Sequence, residues 1–134
     1  MRIFGFIVFF VVLGWLAPAE ARIYCPLPED GIWINPDATA KEITRIEIET
    51  TCIDEQVQAR MRAFTKCIPR DCKWGWTPAE LRDGGGFRVL LVGFLSSKEL
   101  RVRAFRDVLD VQMLETPHDP ARPDKREVYN LQRR

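Results

Sequence analysis

From Gly31 onward, apolar and polar residues alternate with a period of two, the pattern of strands that keep one face on a core and one in water. Gly31 to Asn35 (Gly-Ile-Trp-Ile-Asn) predicts a short first strand, ended by the turn signal Asn35-Pro36-Asp37. From Thr44, residues Ile46, Ile48, Thr50 and Cys52 share one face, while Arg45, Glu47, Glu49 and Thr51 share the other. After a turn near Asp54-Glu55, Val57, Ala59, Met61 and Ala63 oppose Gln58, Arg60 and Arg62. Both strands have the one-sided character that antiparallel sheets permit. Phe87 to Leu95 is apolar on both faces apart from Arg88 and predicts the most buried strand. Ser96-Ser97-Lys98 is expected to turn the chain into Leu100 to Phe105. Val108 to Leu114 and Glu127 to Gln132 predict two further strands around the proline-punctuated loop Pro117 to Asp124. Thr77-Pro78-Ala79-Glu80 matches a capping box and predicts one short helix, stopped by Asp83-Gly84-Gly85-Gly86.

Six or seven short strands in sequential order, with no internal repeat or linker, place the chain in the all-β class. The expected architecture is a small antiparallel meander closing into a barrel, or a two-sheet sandwich.

The start of the chain reads differently. Arg2 is followed by an uncharged apolar run from Ile3 to Ala17, then Pro18 and the small residues Ala19 and Ala21 around Glu20. The run is shorter than the ~18–20 residues a permanent membrane helix needs, so residues 1–21 read as a cleavable secretory signal. Residues 22–134 are then a single β-domain with an irregular C-terminal segment, expected to be periplasmic or secreted without a permanent membrane anchor. The formal net charge is +1, a balance that offers no field for nucleic acid as a main partner.

Export changes the meaning of the cysteines. Cys25, Cys52, Cys67 and Cys72 form an even set, and four cysteines allow three pairings. Cys67 and Cys72 flank Ile68-Pro69-Arg70-Asp71, a turn short enough to join them, which leaves Cys25 with Cys52. Metal binding is not expected, because paired C-x2-C knuckles are missing and the one histidine, His118, is remote. No cofactor is implied either, and a cysteine held in a disulfide is not a nucleophile.

Trp74 and Trp76, beside Lys73 and the expected short disulfide, are the first candidate ligand contacts. On an extended segment both indoles point the same way, either as platforms for a sugar ring, an apolar ligand or a protein, or packed over the disulfide. Arg60 and Arg62 are the second pair. With Arg45, Arg101 and Arg103 they make a cationic patch for an acidic ligand, unless Glu47, Glu49 and Glu99 neutralise them. Trp33 reads as core and His118 as an exposed loop residue. The expected function is a non-enzymatic binding module for a small apolar molecule, a glycan or an envelope protein. Its alternative is a structural or inhibitory envelope protein acting through its outer surface, and a small hydrolase ranks third.

Two local patterns add a resemblance. Gly31-Ile-Trp33 in the first strand, with Arg133 and Arg134 at the end, resembles the calycin barrels (lipocalin- and avidin-like proteins). That resemblance implies a barrel whose first-strand tryptophan packs under an arginine from the last strand. Cys67-x-Pro69-x-Asp71-Cys72-x-Trp74-Gly75, with Trp33-x-Asn35 and Ile43-x-x-Ile46-x-Ile48, resembles a small domain that recurs in exported bacterial proteins. It spans about Gly31 to Phe105 and implies a β-domain with a disulfide-bridged loop, without transferring an activity.

Overall fold

The computed structural model describes residues 25–134, and the signal expected over residues 1–21 lies outside them. The described residues form β1 (Gly31–Ile34), β2 (Ile43–Ile53), β3 (Gln56–Thr65), β4 (Cys72–Lys73), β5 (Thr77–Leu81), β6 (Phe87–Val92), β7 (Ser96–Phe105), β8 (Val108–Pro117) and β9 (Lys125–Arg133). Each strand runs antiparallel to its neighbour. The ladder β1–β9 closes the sheet into an eight-stranded barrel, with β4 as the extra strand on β3. The fold is all-β, and closure decides for a barrel over a sandwich.

The expected helix is instead β5. A helix at Thr77 would have to nucleate just before three glycines, whereas the extended segment pairs with β3 on one side and β6 on the other. The capping-box residues are used otherwise. Thr77 donates to the Gly75 carbonyl at 3.1 Å, and Glu80 pairs with Arg88 across the ladder at 3.2 Å.

Closed barrels leave their outer wall in water, and this corrects the reading of β6. Phe87, Val89 and Leu91 are buried, but Leu90 is 48% and Val92 68% exposed, because no second layer covers them. The turn also lies earlier than Ser96-Ser97-Lys98. Gly93 N–H donates to the Ser96 carbonyl at 2.9 Å, so Phe94 and Leu95 form the tip and the serines begin β7.

Register across β7, β8 and β9 stacks the inward side chains in rows. From the base upward these are Ala104–Leu109–Leu131, Val102–Val111–Tyr129, Leu100–Met113–Glu127 and Lys98–Glu115–Lys125. On these three strands the inward side therefore changes from apolar at the base to charged at the top, while on the neighbouring strand Leu91, opposite Lys98, stays in the buried core. The lower rows pack with Trp33, Ile46, Ile48, Met61, Phe87 and Val89 into one buried core.

The base is sealed by the N-terminal segment. Cys25 pairs with Cys52, and Cys67 pairs with Cys72 at the opposite end. Asp30 accepts from both the N–H and the hydroxyl of Thr50, at 2.7 and 2.8 Å. The Trp33 indole N–H donates to the Glu29 carbonyl at 2.9 Å, and the Arg133 guanidinium lies 4.2 Å over the Trp33 ring. Arg133 also donates to the carbonyls of Pro28 (2.7 Å) and Asp30 (2.9 Å). Gly31 makes room for it: φ is +130°, and a Cβ there would come within 2.9 Å of the guanidinium.

Candidate functional site

The candidate residues divide between two places. Between Phe64↔Lys73 and Met61↔Thr77, the two β3 residues Arg62 and Ala63 face three, Trp74-Gly75-Trp76. That extra residue is a β-bulge, which inverts the alternation. Trp74 turns in against the core and Trp76 turns out over the wall, so the two indoles do not share a face.

Trp76, Arg60 and Arg62 do meet, with Arg45 and Phe64, on the outer wall of β2, β3 and β5. The guanidiniums of Arg60 and Arg62 each lie 4.6 Å from the Trp76 ring centroid. Arg62 also lies 5.4 Å and Arg45 3.9 Å from the Phe64 ring. The carboxylates alternate with them: Glu49 holds Arg60 and Glu47 holds Arg62, both at 2.5 Å. Glu47 is also 3.1 Å from Arg45 Nε, an ion pair too misaligned to be a hydrogen bond. Each of the three arginines thus touches a carboxylate and a ring, with Glu47 shared by Arg45 and Arg62, so most of the positive charge is compensated within the ladder. Arg101 and Arg103 lie on β7, three strands around the barrel, where Glu99 takes Arg101 at 2.7 Å. A shallow depression of about 430 Å³ adjoins the ladder, lined by Glu49, Gln58, Arg60, Trp76 and Pro78 among others.

The second place is the barrel mouth, where Trp74 lies. Only Glu80 and Leu81 of β5 pair with β6, so the strands have no ladder above them and the Trp74 ring packs against Gly93. The Lys98 ammonium is 5.4 Å from the Trp74 ring centroid. From Lys98 the inward residues of the upper rows continue across β8 and β9. The Ser96 hydroxyl donates to Glu115 at 2.8 Å, the Tyr129 hydroxyl donates to Glu127, and Lys125 pairs with Glu127 at 2.5 Å. Sequence reading singled out Trp74 alone here. The others are far apart along the chain, and their shared inward parity after Leu100, Met113 and Tyr129 was the available signal.

Electrostatics at the mouth follow from this packing. Burial pushes the Glu127 carboxyl up, but hydrogen bonds from Lys125 and Tyr129 outweigh it and hold the group below its ordinary 4.5. Burial, reinforced by the bond to Glu127, raises the Tyr129 phenol well above its ordinary 10.0. Folding thus holds a proton on Tyr129 that the unfolded chain releases near pH 10, so this stabilisation is present below that pH and lost above it. Glu127 acts in the opposite window, stabilising above the ordinary carboxylate range and losing that contribution in acid. The expected result is that Tyr129→Phe flattens the fall in the urea midpoint between about pH 9 and pH 11. An unchanged alkaline slope would refute the assignment.

Among the described residues, no group of three or more His, Cys, Asp and Glu side chains is placed to hold a metal ion. His118 is exposed on the top loop. Its Nδ1 donates to the Phe94 carbonyl at 2.9 Å and its Nε2 lies 3.1 Å from the Ser97 hydroxyl, so it braces the neighbouring turn. No protein-family model, curated protein or solved structure matches this chain.

Proposed function

We propose that the protein is an exported binding module that takes a polyhydroxylated, glycan-type ligand at the barrel mouth. The observation that carries this reading is a polar cluster on the inward side of β7, β8 and β9, made by Lys98, Glu115, Glu127 and Tyr129, whose Lys98 ammonium lies 5.4 Å from the Trp74 ring. Sugars offer hydroxyls for convergent donors and acceptors and an apolar face for an aromatic ring, and barrel mouths are preferred ligand positions. A purely apolar ligand is less well served, because Trp33, Phe87, Met61 and Leu100 occupy the interior below. Glu127, held below its ordinary carboxylate value, is not suited to be the general acid that glycoside hydrolysis needs. The two disulfides fit an oxidising compartment outside the cytosol.

The test is a titration of the oxidised protein with envelope-derived oligosaccharides, followed by tryptophan fluorescence and calorimetry. Trp74→Ala is expected to weaken binding at least about tenfold, and Trp76→Ala to leave it within about twofold. The reverse ranking would move the site to the outer depression beside Trp76, and no response to any saccharide would remove the glycan reading.

A further inference from the structure

The mouth carries a second feature that ligand binding does not use. At the tip of the β6–β7 turn Phe94 is 95% and Leu95 71% exposed, and at the tip of the Cys67–Cys72 loop Ile68 is 93% exposed. Both loops lie at the charged end of the barrel, separated by one strand position, and the contact of Trp74 with Gly93 joins their bases. Neither tip is loosely held. The turn is closed by Gly93 and Ser96, His118 binds both tip carbonyls through its backbone N–H and Nδ1, each at 2.9 Å, and the other loop is cross-linked.

We propose that this rim docks on a phospholipid bilayer, with Phe94, Leu95 and Ile68 entering the interface. The shape points to a soft, extended partner, because the apolar groups project from convex tips instead of lining a groove. The chemistry around them agrees. The disulfide loop and its flanks carry the exposed cations Lys66, Arg70 and Lys73, of which Lys66 donates to the Ala38 carbonyl at 3.2 Å, and the one acid between residues 66 and 73, Asp71, accepts from the Thr44 hydroxyl at 2.7 Å. Exposed apolar tips with a cation-flanked loop beside them match the acyl boundary beneath anionic headgroups.

A second copy of the chain fits less well. Below the tip, the apolar outer face of β6 is Leu90 and Val92, one strand wide, and Glu80 and Glu99 flank it while holding Arg88 at 3.2 Å each. That stripe is far narrower than the ~800 Å² per partner of a stable dimer. Docking through these tips is independent of what the mouth binds.

The experiment uses residues 22–134 in oxidised form, so that the apolar run of the predicted signal cannot itself bind lipid. Co-sedimentation with vesicles of phosphatidylcholine containing about a quarter phosphatidylglycerol should show partitioning that weakens as salt rises. Phe94→Asp combined with Leu95→Ser should lower it at least about tenfold, and Val128→Asp, on a comparably exposed wall position, should leave it within about twofold. The Phe94→Trp variant should shift its emission to the blue on vesicles, a readout that stands even if the double variant folds poorly. No partitioning of the parent chain, partitioning indifferent to the double substitution, or an emission of the Phe94→Trp variant that vesicles leave unshifted would each overturn the proposal.

Discussion

Replacing Trp33 with alanine should lower the unfolding free energy by about 3–5 kcal/mol, the largest loss expected from any single side chain here. The indole is fully buried and lies in the row that closes the base. Its removal leaves a cavity, deprives the Glu29 carbonyl of its donor and takes the ring from under Arg133. The position magnifies the effect. β1 has four residues and meets β9 through only two residue pairs, so closure depends on side chains that lock across that seam. Trp33→Phe keeps a ring beneath the guanidinium and loses the N–H, for which about 1–2 kcal/mol is expected. Urea unfolding of the two variants measures both. A Trp33→Ala loss within about 1 kcal/mol of the parent would show that closure does not rest on this residue.

Removing the Cys25–Cys52 bridge by serine substitution at both positions should cost about 3.5 kcal/mol, against about 2 for the Cys67–Cys72 bridge. The bridges close loops with sequence separations of 27 and 5, and longer loops forfeit more unfolded-state entropy when joined. Contacts favour the same order. Cys25 tethers the segment that delivers Leu27, Glu29 and Asp30 to the base, where the Glu29 carboxylate also accepts from the Ala104 N–H at 3.2 Å. The short bridge restrains a surface loop. Denaturation of the two double variants, with hydrogen exchange at Ala104 and Thr50, separates them. Equal losses, or a larger one for Cys67 and Cys72, would refute the ranking.

Local patterns were a sound guide to the wall and a poor one to the candidate site. Ile46, Ile48, Met61 and Ala63 fall inward as their alternation implies, and the two disulfides follow the spacing of their cysteines. Trp74 and Trp76 do not follow alternation, because one residue inserted opposite Arg62 and Ala63 sends them to opposite sides of the wall. Arg60 and Arg62 were legible as outward residues. Their saturation by Glu49, Glu47 and two aromatic rings depended on which strand lay alongside.

Strand character over most of the chain, the inward set of β2 and β3 and the covalent staples follow from the order of the residues alone. Alternation with a period of two and the five-residue separation of Cys67 from Cys72 are properties of a local stretch of backbone. How distant stretches align emerges only once the barrel has closed. Thr77–Leu81 became a strand because β3 and β6 both offered hydrogen bonds to it. Leu90 and Val92 stayed exposed because a closed single sheet has no second layer to cover them. Lys98, Glu115 and Lys125 became one charged row because the β7–β8 and β8–β9 registers place them side by side, and alternation along one strand says which residues face inward but not which residues they meet.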